Sequence, residues 1–320
     1  MPSSRIVVAV LGLALTPMAF TAAPVHEFTL ANGLKVLVRV DRRAPVVVSQ
    51  VWYKVGSSYE PSGLTGISHL LEHMMFKGTP TVPGGEFSRL IAANGGDENA
   101  FTSRDFTAYF QTLEKDRLEL SFRLEADRMR HLLLKPEEVA KEAQVVAEER
   151  RLRTDDQPDA LTQERFHAAA YVTSPYRQPI IGWMQDIQSI RPDDLKRWYQ
   201  QWYAPNNAIL VVVGDVDPAK VRELAEKHFG PLPPSDLIPP RLDQEIPQLG
   251  ERRLVVKTPA EVPYVVLGYK APTFKTATED WEPYALDVLD GVLDGGNSGR
   301  ISRNMIRGSQ VAVAAGTSYS

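Results

Sequence analysis

Apolar and polar residues alternate in the first part of the chain, and this period of two predicts paired β-strands. Residues 34–40, LKVLVRV, alternate after an Asn-Gly turn, and residues 46–53 form a second run that is rich in valine. Residues 99–111 are rich in threonine and aromatic side chains and predict a strand pair, while residues 209–213 predict a compact buried strand. We therefore expect a β-sheet in this part of the chain.

Between and after these strands, apolar residues recur at helical spacing. One such segment opens on Pro136 with two glutamates in its first turn, which suits the positive end of a helix dipole. The predicted helices are residues 67–76, 83–94, 116–129, 136–153 and 218–229. Strands and helices of this kind predict an α+β fold.

Six prolines mark residues 231–250 as a semi-rigid, extended linker and the best domain boundary in the chain. The elements expected beyond it are strands at residues 253–256 and 264–269, a helix at residues 281–293 and the start of a β segment at residues 311–320. The expected organisation is an N-terminal domain of residues 24–230 and a C-terminal domain of residues 251–320. The second domain is short for its element order, so we expect it to be incomplete, from a fragment or a truncated sequence.

The first 23 residues have the order of a secretory signal peptide. Arg5 precedes an apolar core from Ile6 to Leu15, and small residues follow at positions 21–23. The apolar core is shorter than the ~20 apolar residues that span a bilayer, which argues against a transmembrane helix. The alternative to a signal peptide is a buried N-terminal helix. We expect residues 1–23 to be removed, the mature protein to be exported to the periplasm or else secreted, and no stable membrane insertion.

Composition narrows the chemistry. The formal net charge is −4, which argues against nucleic acid as a partner. The chain has no cysteine, so disulfides and thiolate ligands are excluded, and any metal must be held by imidazole and carboxylate groups.

The segment SHLLEHMMFKGT, residues 68–79, is the strongest candidate for such a site. His69, Glu72 and His73 lie at i, i+3 and i+4, so they share one face of a helix. Two imidazoles one turn apart can bind one Zn²⁺, and the carboxylate between them can reach a water on the metal. This H-x-x-E-H order is a known zinc-hydrolase motif. The alternative is a solvated His/Glu face, but the apolar flanking residues predict a largely buried helix.

A third ligand is expected on the helix at residues 136–153. Glu142 and Glu149 are seven positions apart and fall within about 20° of each other around the helix, whereas Glu148 is about 100° from Glu149. Like charges on one stripe are unfavourable unless a cation faces them, and a metal ion would be that cation. An ordinary acidic solvent face is the alternative. Geometry favours Glu149 over Glu148 provided that Glu142 also faces the site.

Together these motifs resemble the insulinase/pitrilysin family of inverted-motif zinc metallopeptidases, which includes the mitochondrial processing peptidase. The resemblance follows the order of elements over residues 26–300. It is carried by GLTGISHLLEHMMFKGT at residues 63–79, by Gly-Gly and NAFT at residues 95–102, and by Glu142 with VVAEE at residues 145–149. It implies two-layer α/β sandwich domains with a mostly antiparallel sheet, the second domain being homologous to the first.

The resemblance also implies roles for the site residues. His69, His73 and Glu149 would bind one Zn²⁺ per chain. Glu72 would be the general base, and Glu142 would support the ligands. The implied activity is endopeptidase hydrolysis of unfolded peptides, and the alternative is a non-catalytic or scaffold subunit of a peptidase-like heterodimer.

Substrates of this family add to a sheet edge in extended form, so main-chain hydrogen bonds bind them largely regardless of sequence. The matching strand residues are Asn99, Ala100, Phe101 and Thr102. Their alternative interpretation is an ordinary edge hairpin. Asp97 and Glu98 beside this strand would favour basic residues in the substrate.

One feature departs from the family pattern. Members usually complete the site with an arginine and, seven positions later, a tyrosine from the second domain. Arg307 matches the arginine, but Ala314 stands where the tyrosine is expected. Either a second family subunit, in a hetero- or homodimer, supplies the Arg/Tyr pair, or this chain has lost or altered activity; we favour the partner.

Overall fold

The computed structural model describes residues 24–320, so the predicted signal peptide at residues 1–23 lies outside the described residues. Two compact units divide the chain, the first ending at Tyr264 and the second comprising Val265–Ser320. The first unit is built on one six-stranded sheet in the order β1-β2-β6-β3-β5-β4. The strands are β1 (Val25–Thr29), β2 (Lys35–Val40), β3 (Val46–Tyr53), β4 (Asp97–Thr102), β5 (Thr107–Glu114) and β6 (Ala208–Gly214).

Strand pairing confirms the predicted, mostly antiparallel sheet. Only β2 and β6 pair in parallel among the described strands; the other neighbours are antiparallel. Alternate residues of the central strand β3 are buried, among them Val47, Val51 and Tyr53. The alternation of apolar and polar residues along the strands therefore turns one face of the sheet toward the core, where helices pack on it.

Helices of the first unit supply the second layer. They are α1 (Ile67–Met74), α2 (Glu86–Ala93), α3 (Leu118–His131), α4 (Pro136–Arg150), α5 (Pro158–Ala170), α6 (Met184–Ile187), α7 (Pro192–Trp202) and α8 (Pro218–His228). A π-helical turn, Arg151–Asp155, continues α4. The mixed α/β architecture that the sequence predicted is confirmed, while α5, α6 and α7 were not predicted.

The second unit contains α9 (Glu282–Asp294), which confirms the helix predicted there. The strands predicted at residues 253–256 and 264–269 and the β segment at 311–320 are wrong, because none of these residues joins a strand ladder in the described chain. A strand exists only through hydrogen bonds to a neighbour, and local β propensity cannot supply that neighbour.

The proline-rich segment, residues 231–250, contains no helix or strand. It is nevertheless hydrogen-bonded to other parts of the first unit at two points. Ser235 and Asn206 exchange two hydrogen bonds of 2.8 and 3.0 Å, and the Glu245 carboxylate accepts from the backbone N–H groups of residues 172–174. The expected domain boundary in this segment stays a prediction. Across residues 24–320, none of the helices combines the length and apolar character needed to cross a membrane.

Candidate metal centre

Helix α1 carries the H-x-x-E-H motif, and a buried carboxylate fixes its first turn. Gly66 precedes the helix in a left-handed conformation at φ 87°. The Glu60 carboxylate accepts from the backbone N–H groups of Gly66 and Ser68 at 2.7 and 2.8 Å. These N–H groups would otherwise lack partners at the helix start, so Glu60 acts as its cap and complements its dipole.

A second set of contacts fixes the start of α1 relative to α4 and α5. A Cβ on Gly66 would lie only 2.5 Å from the carbonyl oxygen of Ile181, so the two backbones approach as closely as glycine allows. Arg150, at the end of α4, donates to the carbonyl of Gly182 at 2.8 Å and pairs with Glu164 of α5 at 2.7 Å. The buried Arg150 therefore joins the loop beside α1 to both helices.

Three potential ligands converge between α1 and α4. The closest donor atoms of His69, His73 and Glu149 all lie within 4.8 Å of one another. Glu149 Oε2 is 3.4 Å from His73 Nε2 and 3.8 Å from His69 Nε2. Glu148, the rival position, is exposed and pairs with Arg151 instead. The position of Glu149 around helix α4 favoured it over Glu148 in the sequence, and the fold places Glu149 beside both histidines.

The donor set fits zinc. Zn²⁺ binds imidazole nitrogen and carboxylate oxygen at about 2.0–2.2 Å, which separates two tetrahedral ligands by roughly 3.3–3.6 Å. The observed separation of 3.4 Å to His73 lies in this range, and that of 3.8 Å to His69 lies slightly above it. Burial, then the charges of His73 and Arg153, lower the pKa of His69 to about 3, so that its imidazole is neutral and can bind a metal.

Glu142 contacts His73 on the ring nitrogen that faces away from Glu149. Its Oε1 lies 3.0 Å from His73 Nδ1, and its Oε2 lies 2.5 Å from Lys77 Nζ. Because a carboxylate there favours a proton on Nδ1, Nε2 is left free to face Glu149 and a metal. The His73 hydrogen bond, followed by the contact with Lys77, keeps the pKa of Glu142 below its usual value despite burial.

Glu72 lies on the same face of α1 and contacts the edge strand. Thr102 Oγ1 donates to Glu72 Oε2 at 2.5 Å. Burial raises the pKa of Glu72, although the Thr102 hydrogen bond opposes the shift. A carboxylate with a raised pKa beside a metal site is suited to accept a proton near neutral pH and return it.

A cavity of about 690 Å³ opens over these groups. Strand β4 forms one wall and has no strand partner on its outer edge within the described sheet. Residues lining the cavity are His69, Glu72, His73, Asn99, Ala100, Phe101, Thr102, Arg104, Glu149, Arg153, Thr154, Ala160, Glu164, His167, Arg177, Gln178, Pro179, Ile180 and Ile181. All four strand residues singled out in the sequence therefore border the candidate metal centre.

Other candidates lie elsewhere. Asp97 and Glu98 do not line the cavity, and the preference for basic residues expected from them stays a prediction. Arg307 belongs to the second unit, where its guanidinium donates to the carbonyl of Asn297. Ala314 is exposed in an irregular part of that unit.

Sequence reasoning missed Glu60, Lys77 and Arg104. Lys77 had a signal, since it follows His73 by four positions just past the helix end. Glu60 and Arg104 had none, because both reach the site through loops whose path the local pattern does not specify.

Comparisons with known proteins agree with this site. Residues 35–183 match the family model described as insulinase (peptidase family M16), and residues 189–320 match the model described as the peptidase M16 inactive domain. The zinc protease PqqE of Helicobacter pylori is 40% identical over 308 residues, which cover 95% of this chain and 68% of that relative. The chain spans about two thirds or less of the other curated relatives that it matches.

Solved structures show the same likeness. The crystal structure of a protease from Helicobacter pylori superposes with a TM-score of 0.84 at 38% identity, covering 91% of this chain and 70% of that one. The first half of the periplasmic protease PqqL from Escherichia coli gives a TM-score of 0.61 at 26% identity, covering 68% of this chain and 48% of that one.

Proposed function

Because the chain belongs to the insulinase family of zinc metallopeptidases (peptidase family M16), we propose that it is a zinc endopeptidase that hydrolyses unfolded peptides bound in extended form. One observation carries the proposal: His69, His73 and Glu149 converge with Glu72 beside them, under the free edge of β4.

His69 Nε2, His73 Nε2 and Glu149 Oε2 would hold one Zn²⁺ per chain. When bound, the ion would lower the pKa of a water toward ~7 and polarise the scissile carbonyl. Glu142 keeps the proton of His73 on Nδ1, and Arg153 pairs with the second oxygen of Glu149 at 2.7 Å. These contacts orient His73 and Glu149 with one ligand atom each toward the proposed metal position.

Glu72 is proposed as the general base. The Thr102 hydroxyl occupies its Oε2 and leaves Oε1 to take a proton from the attacking water. Glu72 would then deliver that proton to the leaving amine. Burial raises the pKa of Glu72, which favours proton uptake and proton return at the same group.

The substrate would pair with the outer edge of β4 along Asn99–Thr102. Main-chain N–H and C=O groups on that edge offer hydrogen bonds to any extended peptide. Thr102 then links the two parts of the mechanism, since its backbone lies in the binding strand and its side chain contacts the base.

Export and assembly complete the proposal. The signal-peptide order of residues 1–23 and the similarity to a periplasmic Escherichia coli protease support a periplasmic location, with secretion as the alternative. A second family subunit would supply an Arg/Tyr pair, because Ala314 stands in the place of the tyrosine.

A matched pair of variants tests the metal assignment. We expect Glu149→Gln and His73→Ala to abolish stoichiometric zinc binding, and Glu148→Gln to leave it unchanged, because only Glu148 faces solvent. Metal analysis and isothermal titration of the purified mature chain measure this. A chain that binds no zinc would instead support the non-catalytic scaffold subunit.

Glu72→Gln separates binding from chemistry. The variant keeps the ligands, so zinc content should stay at the wild-type level while peptide hydrolysis falls at least about 100-fold, the usual contribution of a general base. Cleavage of an unstructured fluorogenic peptide, with and without a chelator, provides the measurement. Retained hydrolysis in the zinc-loaded variant would exclude Glu72 as the base.

A further inference from the structure

Arg104 lies in the cavity wall two residues beyond the end of β4. Its guanidinium is held over the ring of Tyr176, with Cζ 5.6 Å from the centroid, and Tyr176 is in turn fixed by donating to Asp105 at 2.5 Å. Nε of Arg104 is buried and has no hydrogen-bond partner in the described structure. Within residues 24–320 no carboxylate forms an ion pair with this arginine within 4.0 Å.

Three other cations around the centre form ion pairs with carboxylates. Lys77 pairs with Glu142, Arg153 with Glu149, and Arg150 with Glu164. Arg177, also in the cavity wall, donates only to the carbonyl of Val172 at 3.3 Å. Two cavity arginines therefore lack a carboxylate partner among the described residues.

The carboxylates of the cavity wall are all engaged. Glu72 is bound by Thr102, Glu149 by Arg153 and Glu164 by Arg150. None remains to pair with a basic substrate side chain, while two guanidinium groups remain for an acidic one. Arg104 is half-buried whereas Arg177 is exposed, and a partly buried charge gains more from a partner of opposite sign. Arginine also matches a carboxylate bidentately, so Arg104 is the stronger candidate.

We propose that Arg104, assisted by Arg177, is a specificity residue that binds an aspartate or glutamate side chain of the substrate near the scissile bond. This inference rests on the proposed peptidase function and names its substrate class. A peptide on the edge of β4 passes Thr102 at the base and then Arg104 at the adjoining hairpin turn, so the selected side chain lies close to the bond that is cut.

Peptide binding to the zinc-loaded Glu72→Gln chain tests the proposal without requiring turnover. Labelled unstructured peptides carry glutamate, glutamine or lysine at each position in turn, and fluorescence anisotropy gives the Kd. We expect one position at which glutamate binds about tenfold tighter than glutamine. Arg104→Gln should remove that preference, and Arg104→Glu should shift it to lysine.

Arg165→Gln is the matched control. Arg165 lies on α5 with its guanidinium 5.4 Å from the Trp183 ring centroid, outside the cavity, so its removal changes the net charge equally but should keep the preference. Equal affinities for glutamate and glutamine peptides, or a preference that survives both Arg104 substitutions, would overturn the inference. Charge selection by a chain that never cleaves would leave the inference standing and count against the peptidase function alone.

Discussion

Lys77 shows how a residue outside the proposed ligand set can control it. Its ammonium lies 2.5 Å from Glu142 Oε2, while the other oxygen of Glu142 holds the Nδ1 proton of His73. Without the Lys77 ammonium, the buried Glu142 carboxylate would keep only one of its two polar partners, His73. The ionised form of Glu142 would then be less stable, and its hydrogen bond to His73 would be weaker. The imidazole would then be less firmly fixed with Nε2 toward the metal.

We therefore expect Lys77→Met to weaken zinc affinity by about 10- to 100-fold, the usual effect of losing a group that orients a metal ligand. Lys77→Arg, which keeps the charge, should recover most of the loss. Competition with a chromogenic zinc chelator measures the affinity. Lys141→Met serves as the control, because Lys141 pairs with Glu138 on the exposed side of α4, the helix that carries Glu142. An unchanged affinity in Lys77→Met would show that Glu142 needs no cation.

At this scale, helical spacing grouped His69, Glu72 and His73 on one face and favoured Glu149 over Glu148, since an α-helix converts sequence intervals directly into angles. The roles of these residues came from the resemblance to the family. The groups that tune them could not be found this way. Thr102 meets Glu72 across 30 positions of chain, and Arg104 reaches the cavity from a hairpin turn. Contacts of this kind depend on tertiary approach, which no local period encodes.

Among the elements, α1 owes its fixed position to Glu60. The carboxylate is buried and bonded to two backbone N–H groups of the first turn. Burial raises the pKa of Glu60 to about 7; the hydrogen bonds from Ser68 and Gly66 oppose the shift, and the nearby charge of Asp186 adds to it. The net contribution of Glu60 to folding is therefore greatest when the group is protonated, although its hydrogen bonds to the helix start favour the ionised form.

The linkage predicts a pH dependence. Because the folded pKa is about 7 against 4.5 in the unfolded chain, the contribution of Glu60 is fully present below about pH 4.5 and is lost as the pH rises to 7. The difference in unfolding free energy between wild type and Glu60→Gln should therefore shift by about 3 kcal/mol against wild type across that window. Urea unfolding of the two chains with chelator present measures it, and a difference independent of pH would contradict the assigned pKa.

The helices and strands differ in how far the sequence predicted them. Alternation gave β2, and runs rich in valine and other apolar residues gave β3 and β6, nearly to the residue. Helix α7 was available from its buried stripe of Leu195, Trp198, Tyr199 and Trp202. Helix α5 has no fully buried residue, so it lacks the apolar periodicity that a prediction needs. The strands expected at residues 253–256 and 264–269 had the composition but not a partner strand.

For the whole molecule, the proposal places the metal ligands and the base in the first unit and leaves part of the substrate contacts to a partner subunit. His69, Glu72, His73 and Glu149 all lie in the first unit, whereas Arg307 lies in the second and is not followed by a tyrosine seven positions later. A tyrosine hydroxyl donating to the scissile carbonyl would stabilise the charge that develops on its oxygen.

We expect the zinc-loaded chain alone to cleave unstructured peptides slowly and to accelerate when co-purified with a family subunit that carries the Arg/Tyr pair. Loss of one donor to a developing oxyanion usually lowers kcat by about 10²–10³, so a gain of that order is expected from the partner. A partner whose tyrosine is replaced by phenylalanine should bind equally well, shown by size-exclusion chromatography, yet fail to accelerate cleavage. Since the Glu72→Gln chain with the intact partner must also be inactive, the two controls assign the base to this chain and the donor to the other. Full activity of this chain without a partner would contradict the shared site.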